Sequence, residues 1–198
     1  MITVQQATKN IYNIAKEASP EVCAQGKQWY SEAHSFCLAL AHEFNTPLEV
    51  VVGVLAVLSP QCAWETNKLA TRDMLETKHT TRQVYPFNVN KARRILDGET
   101  FEQVTASRRY GKKVKAFYDN ILFPETSIAV TVDTHAIRAA FDATDLTARH
   151  IRWVFECGGN KILQLAYQKA ATKFKLQPLK LQAIVWLQVK QSLEGGVL

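Results

Sequence analysis

Apolar positions recur at helical spacing along almost the whole chain. Val4 to Ala18 carries Ile11, Ile14, Ala15 and Ala18 on one face, which predicts a helix. Ser19-Pro20 interrupts it, and Pro20 suits a first helical position. A second helix is predicted from Glu21 to Phe44, with Trp29, Ala33, Phe36, Cys37, Leu40, Ala41 and Phe44 as its stripe. Asn45-Thr46-Pro47 is a restart signal. The segment that follows, Leu48 to Leu58, is apolar nearly all round, which predicts a central buried helix. Its β-branched residues would also suit a strand, but its length and the preceding cap favour a helix. After the break at Ser59-Pro60-Gln61, Trp64 to His79 reads as an amphipathic helix. Tyr85 to Val89 reads as a loop, Asn90 to Leu96 as a short basic helix closed by Asp97-Gly98, and Glu102 to Ala106 as a turn. A basic turn, Ser107 to Gly111, precedes a helix from Lys112 to Leu122. Phe123 to Thr131 is a loop ending in an extended piece, and Asp133 starts a helix reaching Phe141. Helices are further predicted over Thr147 to Phe155, Lys161 to Phe174 and Pro178 to Leu193. The predicted class is all-α.

Composition narrows the partners. The 198 residues, 47% hydrophobic and 21% charged, fit a soluble globular domain or two closely packed lobes. A formal charge of +6 suits a polyanionic partner without requiring one. Cys23, Cys37, Cys62 and Cys157 are scattered, with no CxxC pair. No zinc site or iron–sulfur cluster is expected from that spacing, and no metal or other cofactor; the thiols suit a reducing compartment. MITVQQATKN lacks the apolar stretch of a secretory signal, and no apolar run reaches membrane-spanning length. The expectation is a monomer with no membrane partner, in the cytoplasm of a bacterium or a phage-infected host.

The chemistry concentrates between Ser107 and Ala140. Asp133 stands where an extended piece anchored by Val130 and Val132 meets a helix, so the helix dipole favours its charged form. It is either a plain N-cap or a reactive carboxylate. Arg108, Arg109, Lys112, Lys113 and Lys115 crowd around Gly111, with Tyr110 and Phe117 interleaved. A glycine turn opening a helix can cradle phosphate through its backbone N–H groups. It can equally be a solvated surface turn. His135 is expected to point elsewhere on the helix, as a hydrogen-bonding or surface group and not a metal ligand. Arg138 could offer a phosphate contact or an ion pair. Trp29, His34 and His42 could line a pocket or pack in the core. Trp64, Tyr85, Phe87 and Trp153 are either stacking groups or core.

Taken in order, these pieces resemble the helix-hairpin-helix DNA glycosylase superfamily. VDTHAIRAA looks like the aspartate motif of endonuclease III and its relatives. NTPLEVVVGVLAVLSPQCAWETNKLA is similar to the buried helix, Ser-x-Gln loop and following helix of that family. NKARRIL resembles its short lysine-bearing helix, and LQAIVWLQV the helix that returns to the first lobe. The likeness runs from about Asn45 to Lys190. It implies a single domain, 1–198, with an N-terminal helical extension over 1–44. A lobe carrying the hairpin and the aspartate would span 45–142, and helices completing the second lobe 143–198, with a groove between the lobes.

The resemblance further implies a glycosylase that excises a damaged or modified base flipped out of double-stranded DNA. Asp133 would stabilise the oxocarbenium ion or activate the nucleophile. Lys113 matches the Schiff-base lysine of the lyase-active members, although phosphate contact suits it equally. Gln61 matches a residue that fills the gap left by the flipped base. Arg108, Arg109, Tyr110, Gly111, Lys112, Lys115 and Arg138 would contact DNA. The chain departs from the pattern in three ways. Arg109 takes the place of the first hairpin glycine, the clustered C-terminal cysteines are absent, and the first forty-odd residues have no counterpart. Two alternatives stay open: a phage enzyme acting on modified bases with the same scaffold, and a noncatalytic DNA-binding protein that kept the fold.

Overall fold

A computed structural model describes residues 1–106 and 111–195. The chain is all-helical: the described residues form eleven helices and no strand. They divide into two compact units, one of residues 1–31 with 123–198, the other of residues 32–122.

The first unit contains α1 (Val4–Glu17), the start of α2 (Pro20–Glu43), α8 (Thr134–Phe141), α9 (Ala148–Glu156), α10 (Gly159–Phe174) and α11 (Pro178–Glu194). Local sequence explains their starts. Thr3, Asp133 and Thr147 cap α1, α8 and α9 with side-chain oxygens, satisfying backbone donors that a helix start leaves unpaired. Pro178 opens α11 at a position needing no N–H donor. Ala7, Ile11 and Ala15 of α1 are buried with Ile137 and Ala140 of α8, Leu163 and Ala170 of α10, and Leu181 and Val185 of α11. Gly26 of α2 lies so close to α11 that a Cβ there would meet the Ile184 backbone at 2.7 Å. Only glycine permits that approach without moving a helix.

The second unit contains the rest of α2, α3 (Leu48–Leu58), α4 (Trp64–Thr77), α5 (Pro86–Leu96), α6 (Phe101–Thr105) and α7 (Gly111–Leu122). Every residue of α3 from Val51 to Leu58 is buried. The helix packs against α4, α5 and α7, as an all-round apolar segment must. Asn67 of α4, itself buried, donates through Nδ2 to the Leu55 carbonyl at 3.2 Å. Phe101 and Tyr118 stack at 4.1 Å between ring centroids.

Some expectations are corrected. Tyr85 to Val89 is not a loop: Pro86 opens α5 four residues before the predicted start, in the N1 position that its ring favours. α4 ends at Thr77, where Lys78 turns into the left-handed region. Trp153 is core, but Tyr85 and Phe87 are 53% and 67% exposed. Among the described residues no helix is long and apolar enough to cross a membrane.

Candidate functional site

Asp133, expected as a site residue, stands at the N-cap of α8. The chain reaches it through Val130 and Val132, both fully buried. Buried extended backbone needs partners for its N–H and C=O groups, and α10 supplies them. Gln164 accepts from the Val130 N–H at 3.0 Å and donates to the Val130 carbonyl at 2.9 Å, as a neighbouring strand would. On α2, Tyr30 places its hydroxyl 2.9 Å from Thr131 Oγ1 and 2.8 Å from Gln182 Oε1 of α11. Val130 and Thr131 are thus held by side chains from α10 and α2, and Gln182 of α11 in turn fixes the Tyr30 hydroxyl.

The Asp133 carboxylate sits at the end of this grip. Its Oδ1 accepts from the Ala136 N–H at 2.8 Å, the N-cap bond that the sequence suggested. The side chain is 14% exposed. His135 turns back toward it: Nδ1 lies 3.6 Å from Asp133 Oδ2, an electrostatic approach longer than a hydrogen bond. The expectation that His135 points elsewhere is therefore corrected. Its ring stands edge-on to Trp186 of α11 at 6.0 Å, and Trp186 meets Trp29 at 5.9 Å. Tyr167 of α10 is fully buried in the same core cluster as Val132 and Ala136. Its hydroxyl has no hydrogen-bond partner. Burial, and then the negative charge of Asp133, push its ionisation well above the ordinary value.

Arg138, one turn further along α8, spends its Nε–H on the Thr144 carbonyl at 2.8 Å. That bond ties the loop after α8 to the helix.

The remaining predicted residues belong to the second unit. Arg108, Arg109 and Tyr110 lie outside the described residues. Gly111 opens α7, where a Cβ would meet the Thr105 carbonyl oxygen at 2.6 Å, so the glycine is dictated by a close backbone approach. Lys112 is exposed and Lys113 half-buried in the first turn of α7. No described carboxylate pairs with either. Cations at this end oppose the helix dipole. Lys115 is held by Asp119 at 3.0 Å.

Gln61 is exposed in the turn after α3. The turn closes through the Cys62 N–H on the Ser59 carbonyl at 3.2 Å. Its third residue is Gln61, with φ of +55°. The hydroxyl of Tyr85 donates to Gln61 Oε1. Phe87 lies beneath the Lys91 ammonium at 4.7 Å. Burial, and then the charge of Arg94, lower the pKa of Lys91.

Sequence reasoning missed Gln164, Tyr30, Gln182, Tyr167 and the placement of Tyr85. Gln164, Tyr30 and Gln182 lie far along the chain from the backbone or side chains they hold, and no local pattern marks such partners.

The site so defined is a capped, largely shielded carboxylate in an all-helical protein. The family described as "Family of unknown function (DUF7178)" matches residues 1–193, and the chain belongs to that family. No curated protein matches the chain, and no solved structure does.

Proposed function

We propose that the protein is a DNA N-glycosylase on a two-lobed helix-hairpin-helix scaffold, with Asp133 as the carboxylate that assists departure of a damaged or modified base. The observation that carries this reading is the way Asp133 is held. A backbone segment gripped by Gln164 and by the Tyr30–Gln182 pair delivers the carboxylate to a helix N-terminus, with only a small part of it open to solvent. A carboxylate held in one place is suited to face positive charge developing at a sugar C1′ without reorganising. As the base leaves with the glycosidic electron pair, water or an amine attacks C1′. With water, the proton passes to the carboxylate. With the neutral amine of Lys113, a C1′–N bond replaces the bond to the base and the amine proton passes to the departing base. Ring opening gives the Schiff base, and loss of a C2′ proton to water expels the 3′ phosphate and cuts the strand.

Two further features support a polyanionic partner. Gly111 keeps the approach to α7 tight, and Lys112 and Lys113 sit at the end of α7 whose dipole repels cations. A phosphate there would relieve both charges. A second reading, DNA binding without catalysis, draws on the N-cap bond, which gives Asp133 a purely structural task.

The test is a panel of duplexes, each with one damaged or modified base, analysed with and without alkali and borohydride. A monofunctional glycosylase yields strand breaks only after alkali. A lyase cuts directly and leaves a borohydride-trapped adduct that Lys113→Gln abolishes. Tight, salt-sensitive binding with no product on any duplex supports the noncatalytic reading.

A further inference from the structure

The turn after α3 places a glutamine where glycine is cheapest. Pro60 is the second residue of that turn and Gln61 the third, in the left-handed region. This position favours glycine or asparagine, because a larger side chain crowds the backbone there. Four other described non-glycine residues, Asn45, Lys78, Asp142 and Lys175, share the left-handed region, the last three directly after a helix end and Asn45 two residues past one. Lys78, the C-cap of α4, pairs its ammonium with Asp97; Gln61 caps no helix and carries no charge, yet its side chain is held by a residue from a distant stretch of the same unit, the hydroxyl of Tyr85. A phenol is a strong donor, so the glutamine oxygen is its natural acceptor.

Stability does not explain this pair. Gln61 is exposed and Tyr85 is 53% exposed, and a hydrogen bond between solvated groups replaces equivalent bonds to water. What the bond does accomplish is to hold a flexible side chain in one rotamer on the surface. Two residues on from Tyr85 in the sequence, Phe87 is 67% exposed under the Lys91 ammonium.

We propose that Tyr85 is a positioning residue: it holds the Gln61 amide for contact with a DNA duplex at the place where one base has left the stack. The inference rests on the glycosylase reading of Gln61. The hydroxyl occupies the amide oxygen and leaves the amide N–H groups to donate to acceptors on the unpaired base or its sugar. Pre-ordering removes the side-chain entropy that Gln61 would otherwise lose on binding.

The full chain is titrated against two duplexes of one sequence, one intact and one carrying a single tetrahydrofuran abasic-site analogue. The readout is the ratio of the two affinities. Wild type is expected to prefer the tetrahydrofuran duplex. Gln61→Ala and Tyr85→Phe should each lower the preference, by roughly fivefold for one lost hydrogen bond. The double variant should fall no further than Gln61→Ala, since the two residues act as one. Gln61→Gly should raise Tm while lowering the preference, a split that a structural role alone does not produce. A preference that survives Tyr85→Phe but not Gln61→Ala overturns the role of Tyr85 and leaves the glycosylase reading standing. A preference unchanged in Gln61→Ala also overturns it. Equal affinity of wild type for both duplexes overturns the reading of Gln61 itself, and this inference with it.

Discussion

The segment before Asp133 and the turn bearing Gln61 hold their polar side chains by opposite means. Val130 and Thr131 are buried, and their polar groups are met by Gln164 and by Tyr30, whose hydroxyl also meets Gln182. Gln61 is exposed, bent into a conformation that disfavours it and held by one tyrosine hydroxyl. In the first case the hold belongs to the core, so loosening it costs stability. In the second the hold is at the surface, so loosening it should cost binding and little else. Two side chains that a sequence motif sets on equal terms are thus separable by experiment.

The contrast is sharpest at Gln164. Its replacement by Ala strands both the N–H and the C=O of Val130 and should cost about 2–4 kcal/mol in chemical denaturation, from the desolvation of two unpaired groups. A loss under about 0.5 kcal/mol would mean that the segment is not buried as described. Gly111→Ala comes next. The added methyl meets a backbone oxygen at 2.6 Å, and the strain, less the gain in helix propensity, should cost about 1–2 kcal/mol. Asp133→Ala removes the cap of α8 and should cost about 1 kcal/mol, with Asp133→Asn costing less because asparagine also caps.

Smaller effects come with pH. Burial pushes the Cys37 thiol up to about 12 from 9.0. Burial, and then the charges of Glu102, Glu49 and Asp119, push Tyr118 up to about 12 from 10.0. Both groups are neutral when folded and ionise more easily when unfolded. The stability they contribute is complete below pH 9 for Cys37 and below pH 10 for Tyr118, and is lost as pH rises toward 12. Denaturation midpoints should therefore decline above pH 9, and Cys37→Ala should flatten the start of that decline. The smallest effect has the opposite sign. Tyr167→Phe removes a buried hydroxyl that has no partner and should raise stability by up to about 1 kcal/mol. A loss of stability instead would show that the hydroxyl is bonded, for instance through an internal water.

Much of the fold was legible because its signals are local. Pro47 before an apolar run, Thr147, and Pro178 each mark a helix start through a backbone donor that needs no helical partner or finds a side chain. The start of α5 was misread because Tyr85-Pro86 carries the signals of a turn as well as those of a helix start. Asp133 was legible as a cap for the same local reason. Its grip was not, since Gln164 lies 34 residues from Val130 and Tyr30 lies 152 from Gln182. Such glutamines and tyrosines read along the chain as surface polarity. The exposure of Tyr85 and Phe87 was equally hidden, because aromatic residues suit stacking and core alike until the packing is seen.

The most direct test of the central claim compares wild type with Asp133→Asn for base release across duplexes that each carry one modified base. Asparagine keeps the N-cap of α8, so the fold stays and only the negative charge is lost. Wild type is expected to release at least one base, and the variant to do so about a hundredfold or more slowly. Release at an unchanged rate in Asp133→Asn, or no release by wild type from any duplex, would contradict the claim.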